Sequence, residues 1–219
     1  MVPFTSLTGP AASLAEADID TDVIFPARFL LLLDRAGLGR HLFQERRFES
    51  SGAPKPDFVL NRPPFDAARV LIADRNFGSG SSREQAVWAL ADFGIRCVIA
   101  ASFGEIFFNN CFKNGVLPIV LDLAALAGLR AATATGADLT VDLDHQHILM
   151  PDGTAVNFSV DPHRRAALLA GLDEIGKVLA EDGEAVERFE AAHRARAPWL
   201  FLDAVQLAPL ADLMEGNDL

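Results

Sequence analysis

A mixed α and β fold follows from three features of the 219-residue chain: short apolar runs rich in branched residues, helix-spaced stretches between them, and a late series of strand-like segments broken by a proline-glycine turn. Residues 70–73 read as the first clear strand, a glycine loop follows, and residues 83–93 have the spacing of a buried helix face. Then come a strand at 97–100, a helix near 105–112, a strand at 116–120 and a helix around 124–132. That alternation predicts parallel strands with crossover helices. Residues 139–143, 147–150 and 155–158, with a turn at Pro151-Asp152-Gly153, predict an antiparallel addition. Earlier in the chain, the leucine run within residues 26–35 reads mainly as a short core helix, and the proline- and glycine-rich residues 50–64 read as a long loop or insertion. The tail at 178–196 reads as an exposed helix, and the apolar patch at 198–202 is expected to dock on its own domain.

Composition narrows the function classes. Half of the residues are hydrophobic, which is ample for a core. A net charge of -11 argues against nucleic acid or an anionic membrane as partner, since both repel it. An anionic ligand must then meet a local cation. The two cysteines, Cys97 and Cys111, lie in apolar company and cannot supply the cysteine set of an iron-sulfur cluster. They suit a reducing compartment, and with no secretory start and no run of membrane-span length the expected location is cytoplasmic.

The densest chemistry lies in Asp74-Arg75-Asn76-Phe77-Gly78-Ser79-Gly80-Ser81-Ser82-Arg83-Glu84-Gln85-Ala86, at a strand-to-helix junction. Glycines permit unusual backbone angles there, and the unpaired N–H groups of a helix start attract a carboxylate or phosphate. Ser81 with Glu84 three residues on also has the spacing of a capping box, and the two readings are compatible. The loop lacks the third glycine of a dinucleotide fingerprint and the Gly-Lys-Ser/Thr of a P-loop. Arg83 offers a planar, permanently charged fork suited to a carboxylate. Ser81 is a feeble base unless neighbouring donors and cations hold its alkoxide.

The run from Asn76 to Glu84 resembles the signature of the small subunit of 3-isopropylmalate dehydratase, which corresponds to the swivelling C-terminal domain of aconitase. Ordered, separate matches accompany it: Asp20-Thr21-Asp22-Val23-Ile24-Phe25-Pro26, His41-Leu42-Phe43, Pro56-Asp57-Phe58-Val59-Leu60-Asn61, Ser102-Phe103-Gly104-Glu105-Ile106-Phe107, Asn114-Gly115-Val116-Leu117-Pro118 and Gly171-Leu172-Asp173-Glu174-Ile175-Gly176. The resemblance covers about residues 7–175 and leaves the tail unmatched.

The resemblance implies a swivelling β/β/α domain over residues 1–176, with an insertion at about 34–64 and a helical tail at 177–219. It implies the small subunit of a hydro-lyase of leucine biosynthesis. That enzyme interconverts 2-isopropylmalate and 3-isopropylmalate through isopropylmaleate, with a 4Fe-4S cluster carried by a large partner subunit and no metal on this chain. By resemblance Ser81 takes the general base's place, and Ser82 and Arg83 those that hold a substrate carboxylate. Thr21, Asp22 and Arg28 are candidates to line or brace the site, and residues 26–35 stand where the family places a substrate-recognising loop. Ser79 stands where many members have Cys, and Gln85 where many have His. The Ser-Ser-Arg core is untouched, but Gln85 cannot carry charge and could mark another substrate. Related hydro-lyases of citraconate, dimethylmaleate or homoaconitate, and a dicarboxylate-binding module without chemistry, are the alternatives.

Two further clusters carry less. Asp142, Asp144, His145 and His147 crowd one strand-turn region, where His145 and His147 would share a strand face, with no second cluster at metal-ligand spacing. Asp18, Asp20 and Asp22 alternate before an apolar segment without the glycine a calcium loop needs.

Overall fold

The structure is a computed structural model describing residues 1–32, 34–203 and 207. It divides into two units, Met1–Asp173 and Glu174–Leu219.

The first unit is built on a seven-stranded sheet. Its strands are β1 (Ser6–Ser13), β2 (Val70–Ile72), β3 (Cys97–Ala100), β4 (Leu117–Val120), β5 (Asp138–Asp142), β6 (His147–Leu149) and β7 (Ala155–Asn157), in the spatial order β4-β3-β2-β1-β5-β6-β7. The sequence pattern does not reveal β1. Its Ser-Leu-Thr-Gly-Pro-Ala-Ala-Ser has neither a branched run nor clean alternation, and it holds a glycine and a proline. Yet β1 joins the two halves of the sheet. Residues 11–13 run parallel to β2, and residues 6–10 run antiparallel to β5. The predicted division holds on either side of it: β2, β3 and β4 are parallel, and β5, β6 and β7 form an antiparallel meander.

Between β1 and β2 lie two short helices, α1 (Thr21–Ile24) and α2 (Gln44–Arg47), and 3-10 turns at Ala27–Phe29, Leu38–His41, Val59–Asn61 and Phe65–Ala67. Beyond β2 come α3 (Glu84–Phe93), α4 (Glu105–Lys113), α5 (Leu123–Thr133) and α6 (Pro162–Ala170). Gly94 ends α3 in the left-handed region at φ +112°, where a side chain would be strained. Asp122 caps α5 by accepting a 2.8 Å hydrogen bond from the Ala125 N–H.

All residues of β2 and β3 are buried, as expected of parallel strands covered on both faces. Alternate strand residues enter two different cores. Leu71, Val98 and Ala100 pack with Ala86, Val87 and Leu90 of α3, Phe107 and Cys111 of α4, and the segment after β1. Val70, Ile72, Cys97 and Ile99 face the opposite way, onto Leu126 and Leu129 of α5, Leu168 of α6 and the antiparallel strands.

The leucine run departs from expectation. A single 3-10 turn precedes it; Leu30 packs on the first core, while Leu31 is 88% exposed and Leu32 is also exposed. It is therefore not a short core helix; Leu33 lies outside the described residues. His145 sits in the turn before β6 and not in a strand; its Nδ1 lies 3.0 Å from Asp142 Oδ2, and its ring still neighbours that of His147 at 5.9 Å.

The second unit is α7 (Glu174–Arg196), a helix with no buried residue, followed by a 3-10 turn at Pro198–Leu200. Within this unit Phe201 folds back on α7: its ring meets His193 edge-on and lies 4.9 Å from the Arg194 guanidinium. Trp199 and Leu200 are exposed.

Candidate active site

The loops leaving the carboxyl ends of β1, β2 and β3 lie together, which is where parallel sheets of α/β proteins bind ligands. Backbone hydrogen bonds lace them. On one side of the glycine loop, Asp18 N donates to Arg75 O, Gly78 N to Ile19 O at 2.7 Å and Thr21 N to Ser79 O at 2.9 Å. On its other side, Phe77 N donates to Ser102 O and Gly104 N to Phe77 O. Side chains reinforce the lacing: Asn76 Nδ2 donates to Asp18 Oδ1 at 2.8 Å, and Asn76 N to Ser102 Oγ at 2.8 Å.

Close packing explains two glycines. Gly78 has φ +72°, and a Cβ there would stand 2.2 Å from the Phe107 ring. At Gly104 a Cβ would stand 2.5 Å from the Gly78 carbonyl oxygen. The rings of Phe77, Phe103 and Phe107 form the floor, with Phe77 and Phe107 edge-on at 5.4 Å.

On this platform Ser81 and Ser82 are exposed. The capping-box reading of Ser81 does not hold. Helix α3 begins at Glu84, its cap position is Arg83, and no side chain caps it. Glu84 Oε1 instead accepts a 2.8 Å hydrogen bond from Asn114 Nδ2. The Ser81 carbonyl is held from beneath: Thr21, 2% exposed, donates its hydroxyl to it at 2.8 Å. Thr21 therefore braces the loop, with its side chain out of solvent.

Arg83 is mostly buried, its side chain 12% exposed, and Nη1 makes a close ion pair with Asp22 Oδ1. The Arg83 guanidinium, with help from the Ala27 N–H, holds the Asp22 carboxyl below its ordinary value. Arg28 turns elsewhere: it pairs with Glu45 and lies 4.5 Å over the Phe29 ring, which stacks on His41. Ser81, Ser82, Arg83, Thr21 and Asp22 are thus brought together, while Arg28 belongs to a neighbouring cluster. Ser79 acts through its backbone, which accepts from Thr21 and bridges to Asp20. A Cys or a Ser side chain leaves those backbone bonds intact.

A residue whose role was not legible is Asn114, beyond the end of α4. Its Oδ1 accepts from Trp88 Nε1 at 2.9 Å and from Arg35 Nη1 at 3.3 Å, and its Nδ2 donates to Glu84 and to Asn110 O. Apart from Asn110, these partners lie far from Asn114 in sequence, so no local spacing announces them.

Among the described residues no group of three or more His, Cys, Asp or Glu is placed to hold a metal ion, and no helix is long and apolar enough to cross a membrane.

The family model described as the aconitase C-terminal domain matches residues 1–124. The 3-isopropylmalate dehydratase small subunit of Rhodospirillum centenum is 53% identical over 201 residues, covering 91% of this chain and 98% of that protein. The chain belongs to the 3-isopropylmalate dehydratase small-subunit family. The small subunit of Rhizobium meliloti is 51% identical over 201 residues, covering 91% of this chain and all of its own. Among solved structures, a 3-isopropylmalate dehydratase from Methanocaldococcus jannaschii superposes with a TM-score of 0.64 at 25% identity, over 84% of this chain and 99% of that one. The aconitase-type swivelling α/β fold expected from the signature is the fold of this family.

A second family model, described as the C-terminal domain of the 3-isopropylmalate dehydratase small subunit, matches residues 181–203. This corrects the reading that the tail falls outside the resemblance: most of α7 and the turn after it belong to the small-subunit pattern.

Proposed function

We propose that this chain is the small subunit of a hydro-lyase of leucine biosynthesis, interconverting 2-isopropylmalate and 3-isopropylmalate through isopropylmaleate. Family membership supports the reading across 91% of the chain. The observation that carries the site is Arg83, a mostly buried guanidinium held by Asp22 beside the exposed Ser81 and Ser82. A guanidinium carries five N–H donors, so one paired with a single carboxylate oxygen keeps donors for an incoming carboxylate. Arg83 with Ser82 takes a substrate carboxylate, and Asp22 keeps the cation oriented until it arrives. Ser81, as the alkoxide that the neighbouring cation would hold, takes the proton from the carbon next to that carboxylate as the neighbouring hydroxyl departs, and gives it back when water adds in the opposite sense. The charge spreading onto the carboxylate as the proton leaves is stabilised by the fixed guanidinium.

The two thiols of this chain are fully buried and have no others beside them, so this chain has no donor set for an iron-sulfur cluster. By the family resemblance a 4Fe-4S group would be carried by a large partner subunit, where it would supply the Lewis acid for the departing hydroxyl. Assembly with that subunit in the cytoplasm completes the reading.

An anaerobic assay of the chain alone and mixed with a cluster-reconstituted large subunit, read as ultraviolet absorbance of the unsaturated acid, tests it. Activity only in the mixture, and best with isopropylmalate, is expected. A preference for a smaller methylated malate keeps the mechanism and moves the substrate; silence with every acid overturns the reading. Ser81→Ala is expected to abolish turnover with affinity largely kept, whereas a mere binding module loses at most some affinity.

A further inference from the structure

Two acids adjoin Arg83, and they are held by different partners. Asp22 of α1 pairs with its guanidinium, while Glu84, the next residue in the chain and the first of α3, gives its carboxylate to Asn114 beyond the end of α4. Asn114 has one orientation open to it. Its Oδ1 faces two groups that can only donate, the Trp88 indole at 2.9 Å and the Arg35 guanidinium at 3.3 Å, so its Nδ2 must face two acceptors, Glu84 Oε1 at 2.8 Å and the Asn110 carbonyl at 2.9 Å. Glu84 and Trp88 share a face of α3 one turn apart, so this one amide grips the helix at two successive turns. No side chain caps α3, and the unpaired N–H groups of a helix start attract a carboxylate within reach. An untethered Glu84 is such a carboxylate, and it adds negative charge where a dianionic substrate is to bind.

We propose that Asn114 is a positioning residue for the substrate-carboxylate site: by holding the Glu84 carboxylate it keeps that charge off the start of α3, and leaves the helix start and Arg83 to the substrate. This role rests on the proposed isomerase reading and belongs to a residue that touches neither substrate nor reacting atoms. A neutral amide is what the position needs. Aspartate has the same shape and still accepts from Trp88 and Arg35, but it cannot donate to Glu84 and repels it.

The experiment compares wild type, Asn114→Asp, and the exchanged pair Asn114→Asp with Glu84→Gln, each assembled with the large subunit, by steady-state kinetics with isopropylmalate and by thermal unfolding. Asn114→Asp is expected to raise KM about three- to tenfold with kcat within about twofold of wild type. The exchanged pair is expected to remove most of that rise, because it reverses donor and acceptor between the two positions while keeping their shape and total charge. Should Asn114→Asp fail to assemble, Asn114→Ala with and without Glu84→Gln repeats the comparison, and removal of the Glu84 charge is again expected to lower KM. An unchanged KM in the single variant overturns the role, as does a loss confined to kcat. A raised KM that removal of the Glu84 charge fails to lower, or loss of assembly in both backgrounds, overturns it in favour of a purely structural amide. If wild type turns over no acid while Asn114→Asp lowers the unfolding midpoint and the exchanged pair restores it, the amide–carboxylate pair stands, and it is the isomerase reading that fails, with the site role lost alongside.

Discussion

The Thr21 hydroxyl donates to the Ser81 carbonyl at 2.8 Å across sixty residues of sequence, and so fastens the segment after β1 to the loop after β2 from inside the protein. Ser81 is held by its backbone, which leaves its hydroxyl free above the loop.

Thr21→Val keeps the shape and removes that donor. Chemical denaturation is expected to show a loss of about 1 kcal/mol, the net worth of one partly buried hydrogen bond. Turnover should fall more than binding, since the brace acts on Ser81, and Thr21→Ser should restore most of both. Full activity in Thr21→Val would exclude the brace from catalysis.

Gly78→Ala places a methyl against the Phe107 ring in a backbone conformation that disfavours side chains. A loss of about 2–4 kcal/mol is expected from overpacking and strain together. A urea midpoint close to wild type would mean that α4 shifts freely under the loop.

The Asp22 carboxyl lies below its ordinary 3.8 because Arg83 stands beside it. A depressed folded value means the unfolded chain binds the proton first, so this stabilisation is complete above pH 3.8 and is lost as pH falls through the lower folded value. Asp22→Asn is therefore expected to flatten the acid limb of the stability profile, measured by thermal unfolding at stepped pH. An unchanged acid limb would show that the pair does not contribute.

Burial pushes the thiols of Cys97 and Cys111 well above the ordinary cysteine range. A disulfide-exchange reagent at pH 8 is expected to leave both unmodified in the native chain and to label both in denaturant. Rapid labelling of the native state would place a thiol at the surface, against the zero exposure of both residues.

What could be read from the sequence was whatever is local in the chain. The apolar runs at 70–73 and 97–100 need to be buried on both faces, so they read as central parallel strands before any contact is known. The Asn76–Glu84 run carries its glycines, hydroxyls and cation within a few residues, and the family it resembles is the family to which the chain belongs. Tertiary structure alone decided the rest. β1 is a strand because its two neighbours supply the backbone partners that its small residues, glycine and proline do not demand. Thr21 beneath Ser81, Glu84 on Asn114 instead of in a capping box, and Arg35 across Trp88 are pairings between distant segments, each set by which loops the parallel strands deliver to one edge of the sheet. A residue's type states which bonds it can make, and only the packed chain brings up the atom that makes them.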